Sequence, residues 1–259
     1  SLFRMREPGM DRINRHVSDR SCLLSFDEDS QAVIGRWPWK RYVHADVLGK
    51  LQKFSPRRVM VDLLFIDPER PPEYLMNFLN VDDQIKGKIT SLFSDMDSAM
   101  VDILARNPNV LLDVQLVDRP RQDLPTEYLE RIALNEQKIL TNAVPAKSRD
   151  DALVFGSLEP VLTDYIMNAR PAAINVPQDA GGKIRRWPLY YIYLKDDGSA
   201  WYLPSAVLQL IRDYYYVEPS GVEYLPGKVV IRNASVPEID PRTSRTKDSL
   251  CSFSSLTGQ

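Results

Sequence analysis

Apolar residues recur along the chain at two periods, helical and extended, and their alternation predicts an α/β protein. Val43, Val47, Leu48, Leu51 and Phe54 share one helix face that ends near Ser55-Pro56, because a residue before proline is biased out of the helical region. Arg58 to Ile66 then reads as a strand, and its almost unbroken apolar run suits a central position covered on both faces. Ser21 to Phe26 reads as an earlier strand. Asp67-Pro68 to Pro71-Pro72 breaks the pattern, and Ile85, Ile89, Leu92 and Phe93 predict one or two helices in an insertion before Ser94.

A further helix is predicted over Asp95 to Asn107, with Met96, Met100, Ile103 and Leu104 inward, followed by a strand over Val110 to Leu116. Tyr128, Leu129 and Ile132 mark one helix; Val161, Leu162, Tyr165 and Ile166 mark another that stops before Pro171. Ala172 to Val176 and Trp187 to Leu194 read as strands, and Leu203, Ala206, Val207, Leu210 and Ile211 as the stripe of a last helix. Val222–Leu225 and Lys228–Ile231 flank Pro226-Gly227 as a hairpin. The expected architecture is therefore α/β, a mostly parallel mixed sheet flanked by helices, with a C-terminal β-hairpin. Met10, Ile13 and Val17 suggest a short leading helix within residues 1–20, and residues 235–259, without apolar periodicity, are expected to form a poorly ordered tail.

Composition narrows the class without changing this picture. With 44% apolar residues and 33 basic against 35 acidic side chains in 259, the chain is an ordinary globular sequence of net charge −2. Neither sign gathers into a long block, so no nucleic-acid partner is expected. No run reaches the roughly 18 apolar residues of a membrane span. The opening Ser1-Leu2-Phe3-Arg4-Met5 does not read as a natural start, which points to a domain of a longer protein. Cys22, in the apolar run Cys22-Leu23-Leu24, reads as a buried small side chain, and whether it ever bridges to Cys251 is open.

Five blocks in order, spanning roughly residues 11 to 215, resemble the CHASE2 domain family. They are Gly35-x-Trp37-Pro38-Trp39-x-Arg41 with Val43-His44-Ala45; Asp62 and Phe65; Asp95-x-Asp97-x-x-Met100; Gln178-Asp179-Ala180-Gly181-Gly182-Lys183-Ile184-Arg185-Arg186-Trp187-Pro188-Leu189; and Leu203-Pro204-Ser205-Ala206-Val207. Asp113 departs from the family by interrupting a strand that is usually apolar. The resemblance implies a sensor domain over residues 21–234, at the extracytoplasmic, periplasmic face of a bacterial cytoplasmic membrane. Flanking segments would tether it, and it would signal to an output domain such as an adenylate or guanylate cyclase or a histidine kinase. Its partner would be an unknown small-molecule or protein signal, with a homodimer also compatible.

Each candidate residue has a packing role beside a binding role. Trp37-Pro38-Trp39 can fix the start of a helix and cover apolar surface, or one indole and Arg41 can line a pocket whose guanidinium grips a carboxylate or phosphate. Asp62, inside an apolar strand, is expected to be buried and paired with Arg41 or Arg185; at a strand's carboxyl end it would also lie where open α/β sheets bind ligands. The expected ligand-binding set is Trp39, Arg41, Asp62, Phe65, Asp179 and Arg185, with no catalytic residue, cofactor or metal assigned. Ser94 or Asp95 is expected to cap a helix, with Asp97 favouring its positive end, and His44 to sit at a surface or capping position. One alternative is a metal-dependent phosphohydrolase using Asp62, Asp67, Asp95 and Asp97; another is a ligand-free dimerisation module. Glycine-rich phosphate loops, nucleophile elbows and paired-histidine zinc motifs do not occur.

Overall fold

The computed structural model describes residues 22–71, 76, 82–118, 124–148, 152–178, 181–184, 186–225, 228–234 and the strand at 251–254. The leading helix expected within residues 1–20 lies outside them. Residues 22–27 are irregular rather than a strand, and a short helix follows, α1 (Glu28–Ile34), because the Asp27 side chain accepts from the Ser30 amide as an N-cap. Gly35 ends α1 at φ 113°, a conformation open to glycine. Helix α2 (Arg41–Gln52) buries His44, Ala45, Val47 and Leu48.

Strand β1 (Val59–Val61) is shorter than its apolar run, since residues 62–66 leave the ladder. There the Phe65 carbonyl accepts from the Leu162 amide and the Ile66 carbonyl from the Arg131 guanidinium. Where the sequence suggests separate helices before and after Ser94, one continuous helix forms, α3 (Asp83–Arg106), capped by the Asp82 side chain. Ser94 and Asp95 therefore lie mid-helix and cap nothing.

Strands β2 (Val110–Val114) and β7 (Arg170–Ala173) complete a three-stranded parallel sheet in the order β1-β2-β7, with Val59 opposite Val110 and Leu111 opposite Arg170. All five residues of β2 are buried, as a strand covered on both faces requires. Val110, Leu112 and Val114 join the main core with Leu48, Met100, Leu104, Tyr165 and Ile166. On the opposite face, Leu111 and Ala172 pack with Ala206, Met60, Ile174 and Leu210. Helix α6 (Ala206–Tyr214), capped by Ser205, supplies that second cover. Burying one such leucine contributes about 2 kcal/mol, so β2 is the most heavily stabilised strand of the sheet.

The remaining elements flank this centre. The short pair β3 (Leu116–Val117) and β6 (Ser157–Leu158) is antiparallel, and helices α4 (Thr126–Leu140) and α5 (Thr163–Asn168) pack with the main core. A mixed sheet in the order β4-β9-β8-β5 joins β4 (Val144–Pro145), β5 (Val154–Phe155), β8 (Tyr190–Leu194) and β9 (Ala200–Pro204). The expected terminal hairpin forms as β10 (Val222–Leu225) and β11 (Lys228–Ile231), and β12 (Cys251–Ser254) lies antiparallel to β11. Tyr190, Tyr202 and Tyr224 knit hairpin and mixed sheet together, with ring centroids about 5 Å apart. Cys22 is exposed rather than buried.

Candidate functional site

The parallel sheet sets two carboxyl groups side by side at its carboxyl edge. Side chains alternate across a strand, so Asp113 shares the face of Leu111, and Asp62 shares that of Met60. Asp62 directly follows the last ladder pair, Val61 with Leu112, and its charge acts on Asp113. Asp62 is exposed, which corrects the expectation of a buried aspartate paired with arginine; the apolar strand ends one residue before it. The buried carboxylate is Asp113, 2% exposed, whose Oδ1 finds no hydrogen-bond partner among the described residues. Burial, and secondarily the charge of Asp62, push its pKa up to about 8. Asp113 is therefore a neutral carboxylic acid at pH 7, able to donate as well as accept. The sequence carried its signal, an aspartate inside an apolar run.

Arg41 is engaged elsewhere. Its Nη2 donates to the Asp67 carbonyl at 2.8 Å, its Nε lies 3.6 Å from Asp97 Oδ1, and its guanidinium stands over the Phe65 ring at 4.7 Å. Asp97 does not serve the positive end of a helix, because α3 begins far upstream. It accepts from Tyr165 Oη at 2.7 Å and from the Glu69 amide at 2.8 Å, while Glu69 accepts from the Arg41 amide and from Lys40 Nζ. Asp97 and Glu69 thus tie α2, α3, α5 and the loop after β1 into one joint. Burial, then the bond to Asp97, pushes the Tyr165 phenol well above its usual range. Neither Glu69 nor Tyr165 had a sequence signal beyond helix patterning.

Trp39 is buried, and its Nε1 donates to the Gly35 carbonyl at 2.6 Å. With Phe26, Trp37 and Phe65 it surrounds His44, which is buried rather than at the surface. Desolvation, then the Arg41 charge, lowers the His44 pKa, so the imidazole is neutral at physiological pH. The Trp37–Pro38 bond is cis. A groove of about 260 Å³ beside this cluster is lined by Phe26, Gln31, Trp37 and Leu63.

The structure therefore brings Trp39 and Phe65 to His44 and Arg41 to Phe65, sets Asp62 beside Asp113, and leaves Asp62 unpaired with Arg41. Asp179 and Arg185, the remaining members of the expected set, lie outside the described residues. Asp62, Asp67, Asp95 and Asp97 do not gather: among the described residues no three histidine, cysteine or acidic side chains are close enough to hold a metal ion.

The family assignment agrees with this geometry. The chain matches the CHASE2 domain model over residues 1–250 and belongs to the CHASE2 family, a family of extracellular sensor domains that are not themselves catalytic. No curated protein and no solved structure matches it. Among the described residues no helix is long and apolar enough to cross a membrane.

Proposed function

We propose that the chain is the extracytoplasmic input domain of a bacterial transmembrane receptor, binding its signal at the carboxyl edge of the parallel sheet and driving a cytoplasmic cyclase or histidine-kinase output. The observation that carries this reading is the buried Asp113 carboxyl, whose Oδ1 has no hydrogen-bond partner among the described residues, with the charge of the exposed Asp62 acting on it. A buried carboxyl left without a partner costs stability and is uncommon in natural folds, and one at the carboxyl edge of a sheet suits a ligand that supplies the partner. Asp62 and Asp113 would recognise the ligand, joined by Asp179 and Arg185 from the Gly181-Gly182 segment. Trp39, Arg41 and Phe65 would carry its effect into α2 and α3 through the Asp97 joint. Signalling then requires only that the ligand prefer one arrangement of that joint.

Thermal unfolding against a panel of amines, amino acids, nucleotides and divalent metals tests this reading. A ligand at a hundredfold excess over its Kd adds about 2.7 kcal/mol and raises the midpoint by several degrees. The reading expects a selective shift that Asp113→Leu abolishes. A panel without any shift, or a shift indifferent to Asp113, overturns it. No observation favours the phosphohydrolase alternative, whose four aspartates form no metal-holding group among the described residues.

A further inference from the structure

The opposite edge of the parallel sheet holds a concentration of positive charge that the sequence, with its net charge of −2, does not announce. Arg58 immediately precedes β1, Arg170 opens β7, and Arg212 and Asp213 lie in the last turn of α6. Asp213, itself buried, accepts from Arg58 Nε at 2.9 Å and from both ends of the Arg170 fork at 2.5 and 2.8 Å. Arg212 Nη2 stands 3.9 Å from the same carboxylate, its main bonds going to Asn142.

Arg57 completes the cluster by stacking. Its guanidinium lies 5.0 Å from the ring centroid of Tyr214 and 4.0 Å from that of Tyr216, the residues one and three places after Asp213. Tyr216 keeps φ at 54°, unusual for a bulky side chain, while its ring stays over Arg57. Three guanidinium groups thus meet one carboxylate, with Arg57 stacked on the tyrosines that follow it, and Glu218 also acts on Arg212. Among the described residues Arg57 Nε and Nη2 are buried without acceptors, and so is Nε of Arg212, a side chain only 2% exposed. Asp213 already takes three short bonds, so these donors call for a second anion.

We propose that Arg57, Arg58, Arg170 and Arg212 form a binding site for a small phosphate-class oxyanion at the amino-terminal edge of the sheet. A tetrahedral dianion offers several acceptor oxygens to planar guanidinium forks held in place by stacking and by Asp213. The excess is confined to these few side chains, which suits a compact anion rather than a nucleic-acid backbone.

Titration of the purified chain with inorganic phosphate, in buffers matched for ionic strength with chloride, tests the site by thermal unfolding and calorimetry. Phosphate is expected to raise the midpoint by several degrees over matched chloride. Arg57→Ala is expected to abolish that rise, and Arg58→Lys, which keeps charge but loses the fork, to weaken binding about tenfold. If Arg57→Ala does not fold, Arg57→Lys serves in its place, with the same direction of loss. A parallel titration with glycerol phosphate separates the sources: a response to both ligands assigns the free oxyanion, and a response to glycerol phosphate alone assigns a phosphomonoester. Equal shifts in phosphate, glycerol phosphate and chloride, or a response unchanged in both Arg57 variants, overturn the proposal. Asp113→Asn should leave the phosphate response intact, so failure here is distinct from failure of the carboxyl-edge sensor site.

Discussion

The two edges of one small parallel sheet carry opposite chemistry and handle it differently. At the carboxyl edge, the charge of Asp62 acts on Asp113 with no cation paired to either among the described residues, and the buried member answers by keeping its proton. At the amino-terminal edge, three arginines meet one aspartate with a fourth stacked on the neighbouring Tyr214, and arginine has no comparable escape, because its pKa lies too far above neutrality for the charge to be given up. Burial lowers the pKa of Arg212 in direction only, with Asp213 opposing it. A crowd of acids can therefore become neutral, whereas a crowd of guanidiniums needs an anion. The acidic edge should respond to pH, and the basic edge to anions.

Removing the one shared anion tests that contrast most severely. Asp213→Ala strips Arg58, Arg170 and Arg212 of their common partner and is expected to cost about 3–4 kcal/mol in denaturant unfolding, near the low end for a broken buried pair. The low end applies because the Arg58 and Arg170 side chains keep 27% and 29% exposure. Saturating phosphate should recover part of the loss if the basic edge binds oxyanions. A cost below about 1 kcal/mol would mean that solvent already screens the cluster.

At the acidic edge the effect is smaller and depends on pH. The folded-state pKa of Asp113, about 8, stands above its ordinary 3.8, so the folded chain holds an extra proton across that interval. Stability therefore falls as pH rises from about 4 to 8 and levels off beyond. Between pH 6 and pH 8 the wild-type chain should lose about 2 kcal/mol relative to Asp113→Asn, which cannot titrate. The comparison must be differential because His44, with its lowered pKa, works the other way: its contribution is lost as pH falls through 6.5 and below. Parallel pH profiles of the two chains would contradict a neutral Asp113.

These edges also show how far sequence reading reaches. The carboxyl edge was half legible: an aspartate inside an apolar strand was noticed twice, at Asp62 and at Asp113, and burial was expected of Asp62, which is exposed, whereas Asp113 is the buried one. Apolar pattern fixes which run is buried but not where the ladder ends: β1 stops at Val61, and further along the run the Phe65 and Ile66 carbonyls serve Leu162 and Arg131 instead of a strand. The basic edge was invisible, since Arg57, Arg58, Arg170 and Arg212 are brought together only by the parallel crossovers. Asp97 was misread for a related reason. Its place at the head of an apolar stripe looked like a helix start, and only the continuity of α3 from Asp83 moves it to mid-helix, where it binds Tyr165 and Glu69. Helix faces, the hairpin and the family blocks were legible because they depend on local period and order.

The smallest predicted effect separates the two causes acting on Asp113. Burial is the larger and the charge of Asp62 the smaller, so Asp62→Asn should move the Asp113 transition to lower pH without removing it. The substitution touches an exposed side chain and leaves the core intact, so stability at pH 5, where Asp113 is already protonated, should match wild type. A pH series of unfolding midpoints on Asp62→Asn, Asp113→Asn and the double variant forms a cycle in which the coupling appears only above pH 6. If Asp62→Asn instead flattened the profile as fully as Asp113→Asn does, proximity rather than burial would be the dominant cause. The acidic edge would then be a coupled carboxyl pair, sharing a proton between an exposed and a buried oxygen, and the two residues would have to be assigned their titration jointly.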